Sequence, residues 1–446
     1  MSRIKKPRSQ GRRGEATWRR WAAQLGRRMP WHTPSHSVEA HNTRNLYAET
    51  AWFGILSGLT ATFVSVFALR LGATTGQVGW LAALPALVNV IWLIPASRLI
   101  ERHRGPSLVF YTGLAQRLGY IAMAAMPFAI VTGRVEALIA IQTLITLPSA
   151  IINTAVTAMI PDLVSPENRG QVVSTRWLIL AATSTVAALA GGKFLDLVRV
   201  PLNYQILLGV GSAISLLGLF NLRRMRLPGS PTVRRPQAAA RQGRASLGAS
   251  LRAALAHRGF VRFTIAAFVF HWGLYLPAAL WSVLRVRDLG ANDTWIGLIA
   301  VVVDASTIAG YLLWGRARSR WGDRWLLLCS GLLVTLYTLM TALVPSLEWM
   351  IVTSMVGGFS WAGCNLALFN VMLAVCPGER RPTYVALYTA LMNVTAFAGP
   401  LLGASLADGV GIRWAFVAST GLRLAGMVLF FLLLPRLNGE RTGCTT

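Results

Sequence analysis

Residues 294–314 read Thr294-Trp295-Ile296-Gly297-Leu298-Ile299-Ala300-Val301-Val302-Val303-Asp304-Ala305-Ser306-Thr307-Ile308-Ala309-Gly310-Tyr311-Leu312-Leu313-Trp314, an apolar run broken by one charged side chain, Asp304. At 1.5 Å per residue a helix of this length reaches about 30 Å, the depth of a bilayer's hydrocarbon core. The run predicts a membrane-spanning helix that carries a carboxylate near its middle. The rest of the chain agrees. Of 446 residues, 54% are hydrophobic and 13% charged, and the mean hydropathy is +0.51. A soluble domain carries about a quarter charged residues. This composition excludes disorder for most of the chain, and it excludes an ordinary soluble enzyme.

Similar runs lie on both sides. Spans are expected near 49–70, 76–97, 107–131, 136–158, 174–195, 203–222, 260–284, 294–314, 325–345, 348–374, 383–406 and 414–435, which makes twelve helices. Pro148 and Pro400 interrupt two of the runs. The first 47 residues are too polar for a cleavable signal peptide. Within them, 14–29 places Trp18, Trp21, Leu25 and Met29 on one helical face, the pattern of a helix lying on anionic lipid. A nucleic-acid arm is the competing reading, but no binding fold accompanies it, so no nucleic-acid partner is expected.

The chain has 43 basic and 16 acidic residues, a net charge of +27. Alternating the loops from a cytoplasmic N-terminus puts 33 of the 43 bases inside and seven outside, with Arg117, Arg262 and Arg423 inside spans. Lys and Arg collect on the cytoplasmic side of membrane proteins. Both termini are therefore expected in the cytoplasm, and the protein in the plasma membrane. Cys329, Cys364, Cys376 and Cys444 have no paired spacing, so neither a disulfide framework nor a zinc site is expected.

The chain repeats itself. A shift of 218 positions lays Leu71-Gly72-Ala73-Thr74 on Leu289-Gly290-Ala291-Asn292, and Gly79 on Gly297. A shift of 211 lays Pro166-Glu167-Asn168-Arg169 on Pro377-Gly378-Glu379-Arg380, and Gly192 on Gly403. The expected fold is an all-α integral membrane protein, with twelve transmembrane helices in two pseudo-symmetric six-helix bundles. Its parts would be a basic N-terminal segment (1–47), one bundle (48–222), a basic linker (223–258), a second bundle (259–436) and a tail (437–446). Two such repeats related along the membrane normal are a transporter layout.

Two loops carry the residues of a family signature. The first reads Ser97-Arg98-Leu99-Ile100-Glu101-Arg102-His103-Arg104, and the second Gly315-Arg316-Ala317-Arg318-Ser319-Arg320-Trp321-Gly322-Asp323-Arg324. Over about 48–436 the chain resembles the major facilitator superfamily, whose cytoplasmic signature is Gly-x-Leu-Ala-Asp-Arg-x-Gly-Arg-Arg. Leu99 and Arg102 match in the first copy, with Glu101 in place of the acid. Gly315, Arg320, Gly322 and Arg324 match in the second, where Ser319 replaces the acid. The resemblance implies a cytoplasmic gate built on Glu101, Arg102, Gly315, Ser319, Arg320, Gly322 and Arg380. Two exporter patterns are displaced or missing. The fourth span has no basic residue over 137–160, and Gly-Pro-x-x-Gly stands at 399–403, in the eleventh span. Export is thus favoured only modestly over uptake.

The candidate pathway residues follow from the cost of polar groups in lipid, at least ~2.5–3.5 kcal/mol for an ionised side chain at membrane depth. Asp304 is expected to bind a cationic group or carry a proton, against the alternative of a neutral acid bonded to a neighbouring helix. His271 is its natural coupling partner, against a neutral ring bonded to a carbonyl. Trp272, Tyr275 and Trp361 are candidate aromatic walls, and Glu49, Asn153, Asn365 and Asn393 candidate selectivity groups. For these, helix packing is the competing role. The buried cations Arg117 and Arg423 are expected to clamp helices.

No phosphate loop, metalloprotease or hydrolase motif is present. The expected function is secondary transport of a small amphipathic or weakly charged organic molecule by alternating access, with proton-coupled export. No enzymatic activity, cofactor or metal is expected, and the chain is expected to act as a monomer. A membrane sensor or scaffold without turnover is the alternative, and a lipid-modifying enzyme the weaker third choice.

Overall fold

The computed structural model describes residues 38–102, 106–225, 256–377 and 381–434. The basic N-terminal stretch with its Trp18 face, most of the 223–258 linker, and Arg380 lie outside the described residues. Helices run in the order α1 Val38–Arg70, α2 Thr75–Arg102, α3 Pro106–Ala129, α4 Arg134–Leu163, α5 Arg169–Leu197 and α6 Leu202–Arg224. The second half opens with α7 Arg258–Tyr275. The helix Asp293–Ala342 is two helices that meet at Gly322, where φ is 77° and ψ 168°; these are α8 (293–321) and α9 (323–342). Then come α10 Leu347–Val375, α11 Arg381–Val410 and α12 Ile412–Leu433. The two bundles of six match the expected twelve-helix layout. No strand occurs among the described residues.

Lipid explains this economy. A backbone with no water to bond must satisfy its own N–H and C=O groups, and a helix does so internally. Among the described residues, ten helical stretches are long and apolar enough to cross a membrane. Asp293–Ala342 counts once there although it is two helices, and α3 falls short because Gln116 and Arg117 stand in its middle.

Three local features depart from the linear reading. Helix α1 begins eleven residues before the expected span, at Val38, and buries Asn42 and Asn45 in its extra turns. Helices α4 and α11 continue through Pro148 and Pro400. The break falls instead at Leu276–Ala279, where Pro277 follows α7. The chain then resumes as a short helix, Leu280–Val283, and a wide π turn, Leu284–Asp288.

One apolar core gathers around Phe63, Phe67 and Met123 of the first bundle and takes in Val283 and Ile296 of the second, and another lies around Phe263, Phe270 and Phe430. The halves meet along two seams, α2 on α11 and α5 on α8. Glycines make both possible. A Cβ at Gly79 would stand 3.1 Å from the Pro400 carbonyl oxygen, and one at Gly297 would stand 2.6 Å from that of Ala188. Residues equivalent under the 218-residue shift thus hold equivalent seams, since small side chains let membrane helices approach closely. The repeated tetrapeptide forms the matching turns 71–74 and 289–292. Gly72 at φ 93° and Gly290 at φ 66° occupy the left-handed region that glycine enters without strain.

Candidate substrate pathway

Between the bundles lies a cavity of about 440 Å³, lined from α1 and α5 on one side and by α7, α8, α9, α10 and α12 on the other. Asp304 is on its wall. The Thr185 hydroxyl, from α5, donates to Asp304 Oδ2 at 2.8 Å, and no cation lies within ion-pair distance of Asp304 among the described residues. One hydrogen bond leaves most of a carboxylate's acceptor capacity open to the cavity. Trp361, 40% exposed, lines the same space, as does Trp281. Trp281 stacks on Tyr337 at 4.9 Å and 4°.

A second chamber of about 270 Å³ lies within the first bundle and shares Ala61 with the first. Its lining is polar but uncharged, with Gln116, Tyr120, Gln142 and Ser149. Beside it the Arg117 Nη2 meets Glu49 Oε1 at 3.2 Å, both residues buried. Ser215, the Gly113 carbonyl and the Gln116 amide oxygen take further Arg117 donors, and the guanidinium carbon sits 5.2 Å from the Phe53 ring centre.

The end of the molecule formed by turns 71–74 and 289–292 is tied across the halves by polar contacts. Asp293 Oδ1 accepts from the Tyr204 hydroxyl at 2.6 Å and lies 3.6 Å from Arg70 Nη2. Arg70 also donates to the Ala291 carbonyl at 2.8 Å, and Arg287 to the Ala73 carbonyl. Asp196 accepts from the backbone N–H groups of Asp293 and Thr294 at 3.0 and 2.9 Å. An acid from α5 thus caps the positive N-terminal end of α8. None of these residues stood among the sequence candidates. The signal was present, because the tie sits on the duplicated Leu-Gly-Ala-Thr/Asn turn.

The other candidates scatter. His271 does not line the cavity; its Nδ1 is 2.7 Å from the Ala267 carbonyl oxygen, which can only accept, so that nitrogen carries the proton. Its ring stands edge-on to Tyr388 of α11 at 6.2 Å and near Tyr275 at 6.1 Å, so His271 and Asp304 are not brought together. Trp272 packs edge-on against Phe268. Asn153 is exposed, Asn365 donates to the Tyr311 hydroxyl at 3.1 Å, and Asn393 donates to the carbonyl of Thr389 in its own helix. Arg423, 2% exposed, lines the cavity from α12. Arg285, which follows the expected seventh span and is one of the seven bases assigned to the outer side, also lines it, because the chain past α7 continues as a π turn from Leu284.

At the signature loops, the side chains of Glu101 and Arg102 lie outside the described residues. Ser319 donates to the Arg316 carbonyl of its own helix, Gly315 has open space around it, and Arg320 is exposed. The acid missing at Ser319 returns at Asp323, just past the Gly322 bend. It pairs with Arg318 at 2.7 Å and accepts from Asn370 of α10 at 3.1 Å.

The comparisons with known proteins fit this geometry. A D-xylose–proton symporter of known structure superposes with a TM-score of 0.70 at 13% identity, over 91% of this chain and all of that one. The chain is 27% identical over 163 residues to "Efflux pump aflT" of Aspergillus parasiticus, covering 36% of this chain and 32% of that one. It is 29% identical over 159 residues to "Multidrug resistance protein B homolog" of Mycobacterium tuberculosis, covering 34% and 28%. These matches span about a third of the relatives' own length. The model of the Major Facilitator Superfamily matches residues 50–285 and 263–444, nearly the whole described chain. With two six-helix bundles around a central cavity, the chain belongs to that superfamily.

Proposed function

We propose that the protein is a secondary transporter that exports a small amphipathic or weakly charged organic molecule by alternating access, driven by protons exchanged at Asp304. The single observation that carries this reading is the central cavity, where a lone acid is held by one hydroxyl. Ties at the 71–74 and 289–292 end support a state closed on that side. The distribution of bases supports a reading with that side outside the cell and both termini in the cytoplasm, for a multi-pass chain acting in the plasma membrane. The 223–258 linker then joins two bundles that rock against each other.

An ionised carboxylate in a low-dielectric cavity is costly unless something in the cavity compensates it, so a bound proton and a bound substrate compete at Asp304. Binding of one displaces the other, which is the coupling an exporter needs. A thermal-shift screen of the purified chain identifies a stabilising compound, and proteoliposomes then measure its flux under an imposed pH gradient. Gradient-driven accumulation is expected in the wild type, and Asp304→Asn should abolish it while the protein still inserts and folds. Binding without flux would make the protein a sensor, and wild-type pH dependence in Asp304→Asn would remove Asp304 from the coupling.

A further inference from the structure

The cavity holds two arginines that the proposed proton cycle does not use. Arg423 donates from Nε to the Gly273 carbonyl at 3.1 Å and from Nη1 to the Val334 carbonyl at 3.0 Å. Arg285 meets the Tyr337 hydroxyl, while its own Nε is buried without a hydrogen-bond partner. Tyr337 interacts electrostatically with both guanidiniums. Neither arginine has a carboxylate within 4.0 Å among the described residues. Arginine cannot shed its charge as a carboxyl group can, and carbonyl dipoles leave a guanidinium's net charge uncompensated. Among the described residues Asp304 offers the one acid in the cavity lining, and it is bonded to Thr185 rather than to either arginine.

We propose that Arg285, Arg423 and Tyr337 form a subsite for the acidic head group, a carboxylate or sulfonate, of an organic monoanion with an apolar body. The head group supplies the missing counter-charge, and guanidinium donors bind such oxygens in pairs. Trp281 and Trp361 line the same cavity and flank the apolar body. The space, about 440 Å³, suits a drug-sized molecule. This inference rests on the reading of the cavity as the transport site.

The test uses purified full-length protein and matched probes that share one ring system and differ in the head group. Naphthaleneacetate, naphthaleneethanol and naphthylethylammonium form one set; indole and biphenyl series form two more. Equilibrium dialysis should show the acids binding about tenfold or more tighter than the alcohols, the margin of a charge-assisted contact. Arg285→Gln should remove that margin, and Arg285→Lys should keep most of it, which also guards against a folding defect in the first variant. The proposal is overturned if no acid in any series outbinds its alcohol, if the ammonium probes bind best, or if the margin survives Arg285→Gln. Acid-selective binding with no flux would sink the transport reading and leave this subsite standing. Flux of alcohols or amines with no acid preference would do the reverse.

Discussion

Each bundle buries one arginine at the junction of its three corresponding helices, and the two charges are met in opposite ways. In the first bundle Arg117 reaches from α3 to Glu49 of α1 and Ser215 of α6. In the second, Arg423 reaches from α12 to carbonyls of α7 and α9. The first is 0% exposed and sealed by a carboxylate, a ring face and an amide; the second touches the central cavity. The fold asks for a strong donor at this junction twice. Only where the charge is cancelled locally does the arginine become purely a clamp. Where carbonyls alone receive it, the charge remains available to whatever fills the cavity.

The largest test of that difference is thermal. Glu49→Ala leaves Arg117 buried without its counter-ion and should destabilise the protein by about 3–5 kcal/mol. Ser419→Ala removes one hydroxyl bond to the Gly273 carbonyl, the same carbonyl that Arg423 uses, and should cost about 1 kcal/mol. Unfolding of the two variants in one detergent, followed by loss of monodisperse protein with temperature, compares them directly. Equal losses would mean that the two junctions are energetically alike and the contrast is only geometric.

A smaller effect is expected at the tie between the halves. The first bundle contributes Arg70, Tyr204 and Asp196, and the second contributes Asp293. Asp293→Asn weakens two charge-assisted contacts together and should favour opening of that end by about 1–3 kcal/mol. Asp196→Asn keeps an acceptor at the α8 terminus and should shift it by about 1 kcal/mol or less. A thiol at Ser282→Cys, in a background with the native cysteines replaced, reports the opening by its labelling rate from that side. Faster labelling in Asp196→Asn than in Asp293→Asn would reverse the assigned weights.

Much of this was legible along the chain, and the residues show why. Twenty apolar residues in lipid have one way to satisfy their backbone, so the helices and the two bundles could be read from hydropathy and the repeat alone. Asp304 announced itself as a lone charge in an apolar run. Arg285 did not, because no hydropathy value marks where α7 breaks at Pro277 and resumes as a π turn. Pro148 and Pro400 were read as interruptions, yet the helices pass through them, since neighbouring groups can take over the freed carbonyl. The Arg70–Asp293 contact joins opposite halves of the chain, and linear spacing carries no information about such a pair. His271 and Asp304 share a bundle, but helix rotation turns His271 toward Tyr388 and Asp304 toward Thr185. Rotation about a helix axis is set by packing, which span prediction does not see.

The smallest expected effect concerns the two signature loops and sharpens the comparison at the opposite end. In the first copy the acid stands at Glu101; in the second Ser319 occupies that place, and the acid is four residues on at Asp323. Asp323 follows Gly322, whose left-handed φ of 77° turns the chain from α8 into α9. Its two oxygens hold Arg318 before the bend and Asn370 of α10. The acid has moved from a position where it could meet the other bundle to one where it braces its own. Asp323→Asn should therefore loosen the α8–α9 bend, but by less than about 1 kcal/mol, because Arg318 is half exposed and such pairs are weak. Ser319→Ala loses only a bond to the Arg316 carbonyl of its own helix and should stay within about 0.5 kcal/mol of the wild type. Glu101→Gln, if that acid still gates its bundle against the other, should change the labelling of a cytoplasmic cavity thiol without changing the melting temperature. Asp323→Asn should do the opposite, lowering the melting temperature slightly with labelling unchanged. Labelling shifts of equal size in both variants would show that the displaced acid still gates, and that the two loops work symmetrically despite their sequences.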